Sequence, residues 1–301
     1  MSLSRCYIYR LMFSNHDRSE DYTMIRNIKA QVQILLRQKG ANVCFLLLML
    51  CVILNYYKNL KIYSGFEKIC FPSIATLFTM SDWLDGIGYY IIIFLPFLIA
   101  LPAGLSLAKE TKTNVHIYLV TRCGGKFSYY FSKICAVFIV TFLVFFIPFM
   151  VELLLNWYTF SNGLSKDALD VLWSYDTHQE GMGTLINTMA FHYPVRYIFI
   201  HILYVCFFAG GLAMIPLACS FFYDKYQAYL MMPLYFAFAA FDRMHIKILG
   251  SKSTHYYSDY FVWLDGQATS YDMKRMAFFV GILSIVSSLL ILICAMKGEK
   301  K

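Results

Sequence analysis

The sequence is poor in charge. Only 15% of its 301 residues are charged, whereas soluble domains carry roughly 25%. Hydrophobic residues make up 59% of the chain and the mean hydropathy is +0.56, which is more apolar surface than a soluble fold of this size buries. These values indicate an integral membrane protein. The sequence also lacks a Gly/Ser-rich or Pro-rich linker, so it predicts a single transmembrane domain over residues 24–301.

Motifs of catalysis and of nucleotide binding are missing as well. The sequence contains no His-Glu-x-x-His and no Gly-x-Ser-x-Gly, which argues against a membrane-embedded enzyme. It has no Gly-x-x-x-x-Gly-Lys-[Ser/Thr] phosphate loop, so it cannot hold ATP phosphates in that manner. Inverted repeats and midplane acidic groups, which ion-coupled transporters carry, are not evident. The membrane-embedded enzyme and the ion-coupled transporter are the alternative interpretations.

The residues that mark metal or nucleic-acid sites form no strong cluster. The net charge is +8, but the basic residues are scattered among apolar runs and form no stripe with stacking aromatics. The pair Asp167 and Asp170 is too weak a pattern for a metal site. We therefore expect no metal, no cofactor and no nucleic acid to bind to this chain itself.

Long uncharged runs dominate the sequence. In hydrocarbon every backbone group must be satisfied within its own segment, so runs of about 20 apolar residues predict transmembrane helices. Six runs qualify, which makes the predicted fold an all-α integral membrane protein with six transmembrane helices. A seventh uncharged stretch, residues 69–81, is too short for a span and is typical of a re-entrant or interfacial segment. The predicted spans are residues 40–57, 86–108, 134–155, 197–223, 226–241 and 276–296.

The positions of Lys and Arg indicate the orientation. With six spans and the amino end inside, most of the 26 Lys and Arg residues lie on the cytoplasmic side, as the positive-inside rule requires. Both termini are then cytoplasmic, and so is the loop over residues 109–133 between spans two and three. The third outer loop is basic and fits the rule poorly. The chain is expected in the cell membrane.

The amino-terminal region has two parts. Residues 1–23 are polar and unpatterned, which predicts a disordered extension, and no cleavable signal peptide is expected because the first long apolar run comes later. Residues 24–39 carry apolar side chains at helical spacing, which predicts an amphipathic helix on the inner membrane surface with lipids as its partner. Its apolar positions are Ile25, Ile28, Val32, Leu35 and Leu36.

The loop over residues 109–133 is too long for a passive hairpin. Its middle, residues 114–121, predicts two helical turns capped by Thr113 or Asn114. Gly124 and Gly125 would then end that short helix and turn the chain. The simpler alternative is an ordinary basic connector.

This loop resembles the intracellular loop of the type-2 permease family of ABC transporters. In that family a Glu is followed by apolar and aromatic helical turns, a Ser/Thr-Arg step, a small-residue turn and a Lys at the next span. The Gly that usually follows the Glu is absent, and Asn114 stands nearby as a residue able to adopt the left-handed conformation. The order of elements matches along nearly the whole chain. The matching positions are Glu110, Val115 to Val120, Thr121, Arg122, Gly124, Gly125 and Lys133.

The resemblance implies the membrane subunit of an ABC exporter, whose short coupling helix docks into a groove on a cytoplasmic ATPase. ATP and Mg would bind to separate ABC ATPase subunits, and a second permease subunit, the same or related, would complete the transporter. The aromatic fraction of 18% favours an apolar or amphipathic substrate such as a peptide, an antibiotic or a lipid. The residues expected to form the coupling loop are Glu110, Val115, Tyr118, Leu119, Arg122 and Lys133.

Two ionisable residues in the predicted spans are candidates for a translocation path, because charge is costly in a membrane and often functional there. Glu152, near the outer end of span three, would line an exit path or pair with Arg196 or Arg243. The simpler alternative is that it reaches the outer interface. His201 in span four is either a proton relay or, more commonly, a partner in an interhelical hydrogen bond.

Overall fold

The chain is helical throughout the part that the structure describes. This computed structural model describes residues 20–64, 74–81, 87–160, 193–220 and 270–297, and none of them lies in a β-strand. A 3₁₀ turn at Thr79–Ser81 and a π-helical turn at Ala100–Gly104 complete the secondary structure. The helices are α1 (Glu20–Leu36), α2 (Lys39–Tyr63), α3 (Ile74–Leu77), α4 (Ile87–Ile93), α5 (Leu95–Ile99), α6 (Ser106–Lys112), α7 (Val115–Arg122), α8 (Lys126–Phe160), α9 (Pro194–Leu212), α10 (Met214–Cys219) and α11 (Ser270–Lys297).

Three of the described helical segments are long and apolar enough to cross a membrane. They are α2 with 25 residues, α8 with 35 residues and the 26-residue segment that joins α9 and α10. At 1.5 Å per residue α8 is about 52 Å long, which exceeds the roughly 30 Å of a bilayer's hydrocarbon. Two shorter apolar helical stretches are Leu95–Gly104 and Val280–Cys294. The chain therefore has the character of a membrane protein.

Most predicted spans correspond to described helices. Spans one, three and six lie within α2, α8 and α11, and span four corresponds to α9 and α10 as far as residue 220. The predicted fifth span, residues 226–241, lies outside the described residues, as do residues 1–19 of the predicted extension.

The second predicted span, residues 86–108, is an irregular helical segment in its described part, and helical backbone hydrogen bonds continue across its interruptions at Phe94 and Leu105. The described part consists of α4, α5, the π-helical turn and α6. Pro96 and Pro102 lie in the middle pieces, where each lacks the N–H that a continuous helix needs. Next to the π-helical turn, Gly40 of α2 lies against the carbonyl of Leu101, and a side chain at that position would overlap the carbonyl oxygen.

Helix α1 packs along the beginning of α8. It begins at Glu20 rather than at the predicted residue 24, and it ends at Leu36, just before α2 starts. Gln31 and Leu35 are buried against the bundle, whereas Ile25 remains 68% exposed. One face of the predicted amphipathic helix is therefore buried against the protein, and apolar side chains on its other face stay exposed.

The segment over residues 74–81 lies in the core. Phe78, Thr79 and Met80 are at most 1% exposed. The ring of Phe78 packs edge-on against Phe149 of α8 at 5.6 Å and against His201 of α9 at 5.9 Å. The stretch was predicted as re-entrant or interfacial. Its described part is enclosed by α8 and α9, at the end of α8 remote from α7.

Candidate functional site

Helix α7 is set off from its neighbours by backbone turns with positive φ. Asn114, just before the helix, has φ 54°, and Gly124 and Gly125, just after it, have φ 77° and 144°. Glycine adopts such angles without steric cost, and asparagine does so at a small one. The predicted short helix and the predicted glycine turn are therefore confirmed.

The predicted side-chain cap of α7 was wrong. No side-chain hydrogen bond caps this helix. The hydroxyl of Thr113 instead donates to the carbonyls of Lys109 at 2.9 Å and Glu110 at 3.2 Å, in the last turn of α6. The left-handed backbone at Asn114 separates the two helices, so Thr113 ends α6 rather than beginning α7.

Four buried polar side chains join α6, α8 and α1. We call Gln31, Glu110, Tyr129 and Lys133 the polar anchor. Lys133 forms an ion pair with Glu110, and its Nζ also donates to Oε1 of Gln31 at 3.4 Å. The Tyr129 hydroxyl donates to Oε2 of Glu110 at 2.5 Å. No member is more than 6% exposed.

The polar anchor fixes the base of the loop. A buried charge is tolerated when it is paired and hydrogen-bonded, and removing one partner leaves the other uncompensated. Glu110 lies at the end of α6 and Lys133 lies two turns into α8, so their ion pair closes the loop that carries α7. Both were predicted as loop residues, and the structure brings them into direct contact.

Two further hydrogen bonds connect α1 to the loop. The side-chain amide of Asn27 donates to the carbonyl of Cys123 at 3.3 Å and to the hydroxyl of Ser128 at 3.2 Å. Asn27, Gln31, Ser128 and Tyr129 were not among the predicted site residues. A signal was present for two of them, because Asn27 and Gln31 share a helical face with the buried Leu35 at spacings of four.

The other side of the loop exposes apolar side chains. Val115, Ile117, Tyr118 and Phe127, which we call the presented face, are 43%, 54%, 70% and 53% exposed. Leu119 of the same helix is only 9% exposed. The structure therefore separates two residues that the sequence analysis placed together, because Leu119 holds α7 on the bundle while Tyr118 faces outward.

Cations surround the presented face. Lys109, Lys112 and Arg122 are exposed at the ends of α6 and α7. Contiguous exposed apolar side chains with a polar rim commonly mark a surface that contacts another protein. The rim here is basic, so the complementary surface would be acidic.

Cys123 lies directly after α7, in the turn that ends it. Burial raises the pKa of the Cys123 thiol above its usual value, and the nearby Arg122 opposes this only in part. The thiol is therefore a poor nucleophile at neutral pH. In the described ranges, no three His, Cys, Asp or Glu side chains are placed to share a metal ion.

Glu152 faces the interior of the bundle. It is fully buried, and its Oε1 accepts hydrogen bonds from the Asn55 side chain at 3.1 Å, from the Thr79 N–H at 2.7 Å and from the Thr79 hydroxyl. These hydrogen bonds go to Asn55 and Thr79 rather than to Arg196, and the exit path and the outer-interface position stay predictions. Thr79 binds the carboxyl to the 74–81 segment, Asn55 binds it to α2, and Arg243 lies outside the described residues.

His201 is buried among aromatic rings. It is 1% exposed, and rings of Phe78, Tyr197 and Tyr204 lie within 6.3 Å of its own ring centre. None of the hydrogen bonds of Glu152 reaches His201. Both residues contact the same enclosed segment, Glu152 through Thr79 and His201 through Phe78.

No protein-family model matches the chain, and no curated protein matches it either. The resemblance to type-2 permeases therefore rests on the order of elements and on the residues of the loop.

Proposed function

We propose that this chain is the transmembrane subunit of an ATP-driven, ABC-type exporter that moves an apolar or amphipathic substrate across the cell membrane. The proposal includes six transmembrane helices with both termini in the cytoplasm. It also includes a second permease subunit of the same or related sequence and separate ATPase subunits that bind ATP and Mg. The presented face on α7 is the observation that carries the proposal.

The presented face is poorly matched to water. Tyr118 leaves 70% of its surface exposed, and Val115 and Ile117 add further apolar area on the same eight-residue helix. An isolated helix this short is unstable, so its form depends on the turns and on Leu119 beneath it. A helix held firmly at the tip of a loop, with apolar side chains outward, is suited to insertion into a groove on a soluble protein.

The polar anchor would connect a contact made by α7 to the helices of the bundle. Glu110 lies four residues before Asn114 and is ion-paired to Lys133 of α8, so a force on α7 acts on a spanning helix rather than on a slack connector. Gln31 extends the same connection to α1. Rigid-body movement of packed helices is a common way in which binding at one place changes another.

The test is co-purification of an ATPase. The tagged full chain is extracted from its own membranes in mild detergent, Mg-dependent ATP hydrolysis is measured, and phosphate-loop proteins are identified by peptide mass spectrometry. We expect Tyr118→Asp to reduce both signals by about tenfold or more, because a central aromatic contact is typically a binding hot spot.

The matched control is Tyr158→Asp, at the remote end of α8, where the side chain is 91% exposed. It should leave both signals unchanged. Leu119→Asp is avoided because that side chain is buried and its replacement would disturb folding. A wild-type chain that brings down no ATPase, or a Tyr118→Asp chain that retains it, would contradict the proposal.

A further inference from the structure

An apolar groove lies on the outside of the bundle between α8 and α9. Its volume is about 430 Å³, within the range of roughly 300–1,000 Å³ that small-molecule sites occupy. It lies at the end of α8 remote from α7. The walls include Met150, Leu154, Trp157, Val195 and Phe199.

Among the described residues that line this groove, Arg196 is the single charged one. Its guanidinium carbon lies 5.0 Å above the ring of Tyr193, a cation–π contact that orients the side chain while leaving it exposed. The nearest acidic residue along α8, Glu152, is turned inward and bonded to Asn55 and Thr79. No acidic side chain of the described ranges forms an ion pair with Arg196, so within this part of the chain its charge faces an anion at the rim of the groove.

We propose that this groove is a binding site for an anionic phospholipid, with one acyl chain between α8 and α9 and the phosphate on Arg196. The apolar walls match a hydrocarbon chain, and a guanidinium presents parallel donors to phosphate oxygens. Trp157 is 51% exposed, and tryptophan favours the headgroup level of a membrane. Both features place the rim where a lipid phosphate lies.

This inference is independent of ATP-driven export. It requires only that α8 and α9 lie in a membrane, and it commits to the leaflet remote from α7. A zwitterionic lipid would fill the same groove without the net charge that Arg196 complements. The choice of lipid charge is therefore the point to test.

The experiment uses Trp157 as a reporter in the full chain. The protein is reconstituted into phosphatidylcholine vesicles that contain a small fraction of phosphatidylglycerol with brominated acyl chains, which quench nearby tryptophan. The same lipid without bromine and brominated phosphatidylcholine are run in parallel. The chain has four tryptophans, so the difference from Trp157→Phe isolates the signal of the groove.

We expect quenching of Trp157 by the anionic lipid at about fivefold lower mole fraction than by phosphatidylcholine, the factor for one basic residue at an anionic membrane surface. Arg196→Gln should remove that preference. Lys61→Gln is the matched control, since Lys61 is also exposed and lies in the last turn of α2 but does not line the groove, and it should keep the preference.

Three results would overturn the proposal. Equal quenching by both lipids would mean ordinary annular lipid only. An unchanged preference in Arg196→Gln would assign the selectivity to another cation. Protection of Trp157 from every brominated lipid, together with dimers captured by cross-linking, would mean that a second copy of the chain covers the groove.

Discussion

At the scale of single residues, Glu110 combines two roles that are usually separate. It lies in the last turn of α6, just beyond the second predicted span, and it is also the counter-ion of Lys133, a buried lysine of the long apolar helix α8. Its two oxygens are occupied by different partners, Lys133 on one and Tyr129 on the other. A change at this position therefore affects the charge balance and the hydrogen bonding of the loop base together.

We predict that Glu110→Gln destabilises the folded chain by about 3–5 kcal/mol, because it leaves the Lys133 charge buried and unpaired. The measurement is the midpoint of thermal unfolding in detergent. Unfolding is monitored as the loss of soluble, monodisperse protein with temperature. The double variant Glu110→Gln with Lys133→Gln should recover part of the loss, since no unpaired charge remains. Lys109→Gln, at an exposed neighbouring position, serves as the control and should have the same thermal midpoint as the wild type. Equal midpoints for Glu110→Gln and Lys109→Gln would refute the buried ion pair.

Glu152 illustrates what residue-level reasoning from sequence lacks. A carboxyl near the end of a predicted span suggested an interface or an exit path. Its actual partners, Asn55 and Thr79, lie 97 and 73 positions away along the chain, so no local pattern indicates them. Only the folded bundle shows that this carboxyl holds the 74–81 segment in the core.

At the scale of helices, hydrophobic runs predicted the position of α2 and α8 but not their ends. Counting uncharged residues stopped span one before Lys58, whereas α2 continues to Tyr63. Long cationic side chains can extend to the membrane interface, so a lysine near a helix end does not terminate the helix. Likewise α8 begins before Lys133, because Glu110 neutralises that charge.

The positions of prolines predicted helix breaks less well than uncharged runs predicted helices. Pro148 lies inside α8 without interrupting it, whereas the segment containing Pro96 and Pro102 divides into short pieces. The sequence shows where a backbone hydrogen bond is missing, and neighbouring helices determine whether the helix then breaks. Here Gly40 packs against Leu101 in the irregular stretch, a contact that depends on a residue in another helix.

We predict that Gly40→Ala destabilises the protein, since its added carbon would overlap the Leu101 carbonyl and displace α2 from the π-helical turn. The matched variant is Gly281→Ala in α11, where nothing lies within 4 Å of the added carbon. That second change should be neutral or stabilise by up to about 1 kcal/mol, because alanine favours helix more than glycine does. Thermal midpoints of the two variants in the same detergent give the comparison. Equal midpoints would mean that α2 and the turn do not meet as closely as described.

At the scale of the whole molecule, the six-span topology stays a prediction. The described residues include helical counterparts of five predicted spans, of which three are long enough to cross a membrane by themselves. The side on which each loop lies follows from charge bias alone. The proposed coupling to an ATPase depends on that side, because α7 must face the compartment that contains ATP.

Paired cysteine reporters measure the orientation directly. In a background where all nine native cysteines are replaced, Tyr118→Cys and Tyr158→Cys place single thiols at opposite ends of the bundle. We expect a membrane-impermeant maleimide to label Tyr158→Cys in intact cells and Tyr118→Cys only after permeabilisation. Labelling of both from the same side would exclude α8 as a complete span. The reverse pattern would place α7 outside and rule out its docking on a cytoplasmic ATPase.

The connections of α1 have a consequence for biosynthesis. Asn27 and Gln31 bond to residues 123, 128 and 133, which follow them in the chain by 96 to 102 positions. At about 5–20 residues per second, those partners are synthesised roughly 5–20 s after α1 leaves the ribosome. During that interval the hydrogen-bond partners of Asn27 and Gln31 do not yet exist. Helix α1 therefore reaches its final position only after the start of α8 has been made.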